Sequence, residues 1–393
     1  MMSPALPACD APAPRPLKIL HTEAATGLGG QEIYIFRHMQ AMRARGHEVA
    51  LLCQPHARLA TLCRAHGFVV HTLAMGGPWR LLRGIWQTRR LLLRERYDVV
   101  NTTSRRDTLI AAAAARLAGV PLVVRSRHLM SPVNSLLTYT GLPHRVITVS
   151  RFVSDLLHRR GVPRRRIGVV PPIAELPRWH TGDAPATRAE LAAARDQGRA
   201  TLGLRADDIV VGCVAVLRRA KGHADLVRAI APLCRANPRL QLVIIGDGEP
   251  VTGELKQLRR ALGIEAQVHL PGYRFGACAL MPAFDVFALA SHKEAAGTVL
   301  LEAALAGVPI VATRVGGIPE MVEEGRNALL VRAHDITALR SALQRLCEDA
   351  PLREAMGAAG LLWAGQASQF TADGHGRLTE GYYRNWLGEL AHG

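Results

Sequence analysis

Short apolar runs alternate with longer amphipathic ones from Leu17 onward. The run LKILHTEA (17–24) predicts a strand, and Gly27, Gly29 and Gly30 follow in TGLGG. Apolar residues at helical spacing then predict a helix from Gln31 to Arg45, stopped by Gly46, with a second strand in HEVALLC (47–53). Strand, glycine loop, helix, strand is a βαβ unit. Further strands are predicted at YDVVNTTS (97–104), PLVVRSRH (121–128) and RVITVS (145–150), with helices in 104–119 and 150–161. These strands are continuously apolar, as parallel strands buried on both faces are. Residues 174–206 change character, being small, polar and helical toward the end. A second series then begins. DIVVGCVAVL (208–217), LQLVIIGDG (240–248), QVHLPGY (267–273), FDVFALAS (284–291) and VPIVATRV (308–315) predict strands. Residues 223–236, 254–263, 298–307 and PEMVEEG (319–325) predict the helices between them. Two successive α/β series imply two Rossmann-like domains. The expected boundaries are a disordered tail at 1–16, domains at 17–175 and 206–365, a linker at 176–205, and a C-terminal helix in 366–393 that crosses back to the first domain.

One stretch carries chemistry. In FDVFALASHKEAAGTVLLEAALAGVP (284–309), the loop Ser291–Ala296 follows a strand, where open α/β sheets bind ligands. A helix starts at Gly297 or Thr298, and Gly307 followed by Pro309 ends it. Unpaired N–H groups at a helix start attract anions, and a glycine there lets a phosphate come close. Thr298 adds a hydroxyl. Glu294 in the loop and Glu302 one turn into the helix each offer two acceptors, which suits a vicinal diol. Hydroxyls on both sides of a diphosphate describe a nucleotide sugar. A solvated loop residue and a helix-surface residue are the plainer readings of either glutamate taken alone.

EAAGTVLLEAALAGVPIVATRVGGIPEMVEEGRNALLV (294–331) resembles the donor-binding core of the family-four glycosyltransferases, retaining enzymes of the GT-B fold with two Rossmann-like domains facing across a cleft. AVLRRAKGH (215–223), VIIGDGE (243–249), LPGY (270–273), TGLGGQE (26–32) and 148–172 extend the resemblance over most of 17–362. The resemblance implies that Lys221, in its Lys-Gly turn, binds donor phosphate. The arginine usual five positions earlier is Val216 here, so Arg218 or Arg219 is left to supply that charge. Glu294 matches the residue touching the donor sugar and Glu302 the one holding the ribose. Gly297, Thr298 and Val299 lie under the diphosphate. Gly246 falls in the matching strand end, and Tyr273 and Arg274 fall where the base is contacted. Gly316, Gly317 and Glu320 form a second glycine loop. Gly29 and Gly30 approach phosphate and acceptor, and His128 touches the donor sugar. The Asn-Gly-Val-Asp common after IGVVPP is absent, Ile173 and Ala174 standing there. The implied activity is transfer of a sugar, with retention, from a nucleotide diphosphate sugar to a hydroxyl of a glycan or lipid-linked acceptor of the cell-envelope or lipopolysaccharide kind. No Asp-x-Asp occurs, so neither a metal nor another cofactor is expected.

Charge widens the choice of partners. The chain has 49 Lys and Arg against 32 Asp and Glu, a net +17, which favours anionic partners. Residues 78–98, PWRLLRGIWQTRRLLLRERYD, mix six arginines with Trp79 and Trp86. Such a helix either packs on its sheet or docks on an acidic membrane surface. The seven cysteines, Cys9, Cys53, Cys63, Cys213, Cys234, Cys278 and Cys347, form no metal or paired spacing, which fits a reducing, cytoplasmic setting. No secretory signal or membrane span is expected. A GT-B epimerase or phosphorylase is the nearest rival. An NAD-dependent dehydrogenase fits less well, because TGLGGQE lacks the GxGxxG spacing and no acidic residue ends the second strand. A nucleic-acid binder is disfavoured by 5% aromatics and the absence of a binding module.

Overall fold

The structure, a computed structural model, describes residues 15–130, 132–133, 135–174 and 187–392. Most of the expected tail (1–16), Cys9, residue 175 and the first part of the expected linker (176–186) lie outside the described residues.

Seven strands form the first sheet: β1 (Lys18–Glu23), β2 (Glu48–Cys53), β3 (Val69–Thr72), β4 (Val99–Thr102), β5 (Leu122–Arg127), β6 (Arg145–Thr148) and β7 (Ile167–Val169), in the order β3-β2-β1-β4-β5-β6-β7. Between them run α1 (Gly30–Ala44), α2 (Arg58–Ala65), α3 (Pro78–Glu95), α4 (Arg105–Asp107), a π-turn, α5 (Ala113–Leu117) and α6 (Arg151–Arg159). Six strands form the second: β8 (Ile209–Val214), β9 (Leu240–Ile245), β10 (Val268–Gly272), β11 (Val286–Leu289), β12 (Ile310–Thr313) and β13 (Ala328–Val331), in the order β10-β9-β8-β11-β12-β13. Its helices are α7 (Arg188–Leu202), α8 (His223–Ala236), α9 (Val251–Ala261), α10 (Thr298–Leu305), α11 (Ile336–Glu348), α12 (Ala350–Gln366) and α13 (Ala372–Ala391). Two doubly wound parallel sheets make the GT-B fold expected from the sequence. By compactness, the described residues up to Val124 with those from Asn385 form one unit, and 125–384 form the other.

One predicted helix did not form, and several short elements were missed. PEMVEEG (319–325) is not a helix. Only a 3-10 turn, Ile318–Glu320, forms there, and Gly325 at φ +78° leads the chain out toward β13. The short strands β3 and β13 and the helix α2 were too brief for periodicity to reveal. The helical end of the expected linker is α7, held to the second sheet by Asp285. That carboxylate accepts from Arg195 at 2.6 Å, from Arg199 at 2.8 Å and from the backbone N–H of Val210 at 2.7 Å. Gly198 lies against Ala283, where a Cβ would come within 3.0 Å.

Helix α3 packs by one face and exposes its others. Gly84, Thr88 and Leu92, four residues apart, are buried, with Gly84 against Ile110. On other faces Trp79 is 84% exposed and Trp86 55%, with Leu82 and Leu93 also exposed. Arg90 stacks over the Trp86 ring at 4.6 Å.

In both sheets the strand order reverses direction between the first strand and the fourth, and this is where doubly wound folds bind ligands. In the first unit, the ends of β1 and β4 bring together Glu23, Asp107 and the glycine loop. Asp107 accepts from Thr22 Oγ1 at 2.6 Å and from the backbone N–H groups of Thr103 and Ser104, both at 2.8 Å. Glu23 accepts from the N–H of Ala25 at 2.8 Å and from Gln31 Nε2 at 2.6 Å. Burial, then the charge of Asp107, pushes the Glu23 carboxyl up to about 7. A carboxyl whose folded pKa is raised contributes stability below its unfolded pKa, and that contribution is lost as pH rises through the folded value. Relative to Glu23→Gln, the wild-type protein should therefore lose thermal stability between about pH 4.5 and 7. A Tm difference between the two that stays flat across this window would contradict the assignment.

Candidate functional site

The second unit builds its site at the ends of β8 and β11. After β8 the chain makes a short 3-10 turn, Arg219–Lys221, and Gly222 at φ +65° opens α8. A Cβ on Gly222 would come within 1.9 Å of the carbonyl oxygen of Ala290, so only glycine lets this turn lie against the end of β11. The backbone N–H groups of His292 and Lys293 both donate to the carbonyl of Ala220, at 2.8 and 3.3 Å. That seam brings Lys221 Nζ into an ion pair with Glu294 Oε2, which Ser291 Oγ also approaches at 3.4 Å. Both side chains are largely buried, so the pair is shielded from the solvent screening that weakens surface pairs.

Three residues after Glu294, Gly297 adopts φ +93° and starts α10 without a side-chain cap. The first turn of a helix leaves N–H groups without partners inside the helix. At α10 these belong to Thr298 and Val299, since the N–H of Leu300 already donates to the carbonyl of Gly297 at 2.9 Å. Glu302 lies one turn beyond Thr298 on the same side of the helix and is half-buried.

The far side of the loop is held by the second glycine pair. Gly316, at φ +57°, sits where a Cβ would be 1.7 Å from the carbonyl oxygen of Glu294. Gly317 donates its N–H to that oxygen at 3.1 Å, and a Cβ on it would lie 2.3 Å from the oxygen of Ala295. Ser150 Oγ donates to the same Ala295 carbonyl at 2.6 Å. Glu320, expected beside the second glycine loop, caps α6 instead. Its oxygens accept from the backbone N–H groups of Arg151 at 2.8 Å and Phe152 at 2.9 Å. Gly316 and Gly317 thus act by admitting close backbone contact, and Glu320 acts by orienting α6.

The remaining candidates fall around this centre or elsewhere. Arg219 pairs with Glu254 on α9 at 2.5 Å, and Arg218 is exposed beside it. Gly246, at the end of β9, lies where a Cβ would be 2.0 Å from the carbonyl oxygen of Ala215, so it lets the loops after β8 and β9 join. Tyr273 and Arg274 follow β10, Tyr273 being 59% exposed. His128 follows β5 and is half-buried, two residues before Met130, whose sulfur lies against Gly316. Gly29 and Gly30 belong to the first unit, where Gly29 precedes α1 and its N–H donates to Glu32 at 2.7 Å. Sequence reasoning missed Ser150 and Glu23. A hydroxyl at a strand end gives no sign of a partner 145 positions away, whereas Glu23 was signalled by its place at the end of an apolar strand. The six described cysteines are all free and buried.

The site thus offers a lysine, an uncapped helix start and two carboxylates, Glu294 in the loop before the helix and Glu302 on it, a combination suited to a polyhydroxylated diphosphate.

A family model described as Glycosyl transferases group 1 matches residues 194–363, and one described as Glycosyltransferase Family 4 matches 28–176. A D-inositol 3-phosphate glycosyltransferase of Corynebacterium jeikeium is 34% identical over 220 residues, 54% of this chain and 51% of that protein, so the alignment spans about half that relative's length. One of Actinosynnema mirum is 30% identical over 375 residues, 84% of this chain and 86% of that protein. Among solved structures, Anabaena Alr3699/HepE in complex with UDP superposes with a TM-score of 0.80, at 22% identity, over 94% of this chain and 100% of that one. That likeness speaks to the fold alone. The alignment along nearly the whole of the Actinosynnema protein, with matching models on both halves, is what makes this chain a member of the group 1 glycosyltransferases.

Proposed function

We propose that the protein transfers a sugar, with retention of anomeric configuration, from a nucleoside diphosphate sugar to a hydroxyl of an anionic acceptor. The observation that carries this reading is the joining of Lys221, Glu294 and the uncapped start of α10 at the end of β11. In this reading the diphosphate meets the N–H groups of Thr298 and Val299. Lys221 turns from Glu294 toward it, and the released carboxylate accepts from the sugar hydroxyls. Glu302 accepts from the ribose diol. Departure of the nucleoside diphosphate builds negative charge where a cation and a helix start already point, so its stabilisation needs no reorganisation. A uridine nucleotide is supported by structural neighbours solved with UDP, with UDP and glucose, and with UDP-glucose.

The acceptor proposed is phosphorylated. Two supports converge: the net charge of +17, and relatives named D-inositol 3-phosphate glycosyltransferase. A glycan of the lipopolysaccharide kind is the second reading, favoured by neighbours described as lipopolysaccharide glycosyltransferases, at 17% identity. No helix among the described residues is long and apolar enough to cross a membrane. The exposed tryptophans and arginines of α3 support docking on an acidic membrane surface. A GT-B epimerase or phosphorylase would leave an added acceptor unglycosylated, which separates it from a transferase.

Glu294→Gln should lower kcat by about a hundredfold or more, because the substituted amide neither balances Lys221 nor accepts two hydroxyl bonds. Near-wild-type turnover in steady-state kinetics would remove Glu294 from the mechanism. Transfer should also persist in excess chelator, since the charge of the leaving group is met by protein groups. Abolition, reversed by a divalent ion, would contradict that. At low salt the protein should float with vesicles of anionic lipid, and Trp79→Ala with Trp86→Ala should reduce flotation. Failure of the wild type to float would end the membrane proposal.

A further inference from the structure

Two residues before Glu294, His292 turns the other way. Its Nε2 lies 2.7 Å from Asp225 Oδ2, on the first turn of α8. From the turn before α11, His334 brings Nδ1 to 3.7 Å from the same oxygen. The two imidazole rings overlap, with centroids 3.8 Å apart and planes 35° from parallel. One donor atom from each of the three residues falls within 4.8 Å of the other two. His334 holds φ +67°, a left-handed conformation uncommon for any residue but glycine, and its side chain is 68% exposed. A hydrogen bond between His292 and Asp225 accounts for that pair. It does not account for a third, exposed ring stacked on the second from a strained turn.

We propose that Asp225, His292 and His334 form a binding site for a divalent cation of the zinc type. Ligand atoms about a four-coordinate zinc, with bonds of about 2.0–2.1 Å, lie roughly 3.3 Å apart. The two separations, 2.7 and 3.7 Å, straddle that value, so small side-chain rotations complete the set. Two imidazoles and one carboxylate suit zinc, cobalt, nickel or copper and do not suit magnesium or calcium, which take oxygen ligands. Three protein ligands leave a position for water. Access is open, because His292 and Asp225 line a groove of about 540 Å³ between α8 and α9. Arg228, 3.6 Å from Asp225 Oδ1, sits on the opposite oxygen and leaves Oδ2 to the cation.

The site joins three segments of the second unit: the start of α8 just after Lys221, the loop carrying Glu294, and the turn before α11. In the proposed reading the cation ties these segments together and does no chemistry on the substrate. The inference stands apart from the proposed donor chemistry, since binding is read on the free protein.

Titration calorimetry of Zn²⁺ into the metal-stripped full chain should show one saturable equivalent, with no uptake of Mg²⁺ at the same concentration. His334→Asn keeps a residue that tolerates the left-handed turn while removing the ligand. It should weaken Zn²⁺ binding at least about tenfold. Zn²⁺ should raise the Tm of the wild type and not that of His334→Asn. Absence of a saturable equivalent, or uptake and stabilisation equal in the two proteins, would overturn the proposal.

Discussion

The carbonyl oxygens of Glu294 and Ala295 hold the candidate site in place. Each is gripped from residues far along the chain. Gly317 donates to the first and Ser150 to the second, and Gly316 and Gly317 pass both oxygens at distances no side chain permits. With those two carbonyls fixed, the direction of the Glu294 side chain, the left-handed turn at Gly297 and the start of α10 follow. A methyl group at position 316 would collide with backbone, which cannot swing aside as a side chain can. The opposite edge of the loop is zipped to the Lys221 turn through the Ala220 carbonyl, and Gly222 is constrained in the same way by Ala290. Three glycines, Gly222, Gly316 and Gly317, thereby set the distance between a lysine and a glutamate.

The electrostatics follow from that geometry. Lys221 and Glu294 neutralise each other at the end of β11, where desolvation of an unpaired charge would be costly. In the proposed reading, an anion arriving at α10 would compete for the lysine, so the same pair would serve stability and exchange. Arg219, by contrast, is already matched by Glu254. In the proposed reading, the charge of the arginine absent at Val216 falls to the helix start, Lys221 and the exposed Arg218. At the equivalent point of the first unit the protein places a carboxyl that burial raises to about 7, Glu23. Neither carboxylate cluster follows from the net positive charge of the chain, which resides on its surface.

Local patterns were legible in the sequence and contacts between distant segments were not. The buried strands announced themselves as unbroken apolar runs, and the strand, loop and helix around Glu294, Gly297 and Glu302 could be read because they are contiguous. The glycines at 316 and 317 were visible, but their purpose depends on carbonyls about twenty residues away. The capping of α6 by Glu320 spans 169 positions, and no spacing rule reaches that far. PEMVEEG misled because its acidic and apolar spacing suits a helix. Ile318 and Met321 are instead buried, and the chain leaves at once for β13. His292, Asp225 and His334 come from three elements and converge only in the fold.

The central claim is that the start of α10 holds a pyrophosphate between two acidic side chains. The most direct measurement is a crystal structure of the protein with a bound nucleoside diphosphate sugar. The expected result is phosphate oxygens within hydrogen-bond distance of the N–H groups of Thr298 and Val299 and of Lys221 Nζ, with the sugar against Glu294 and the ribose against Glu302. Density for the ligand at any other place, with the Lys221–Glu294 pair unbroken, would contradict it.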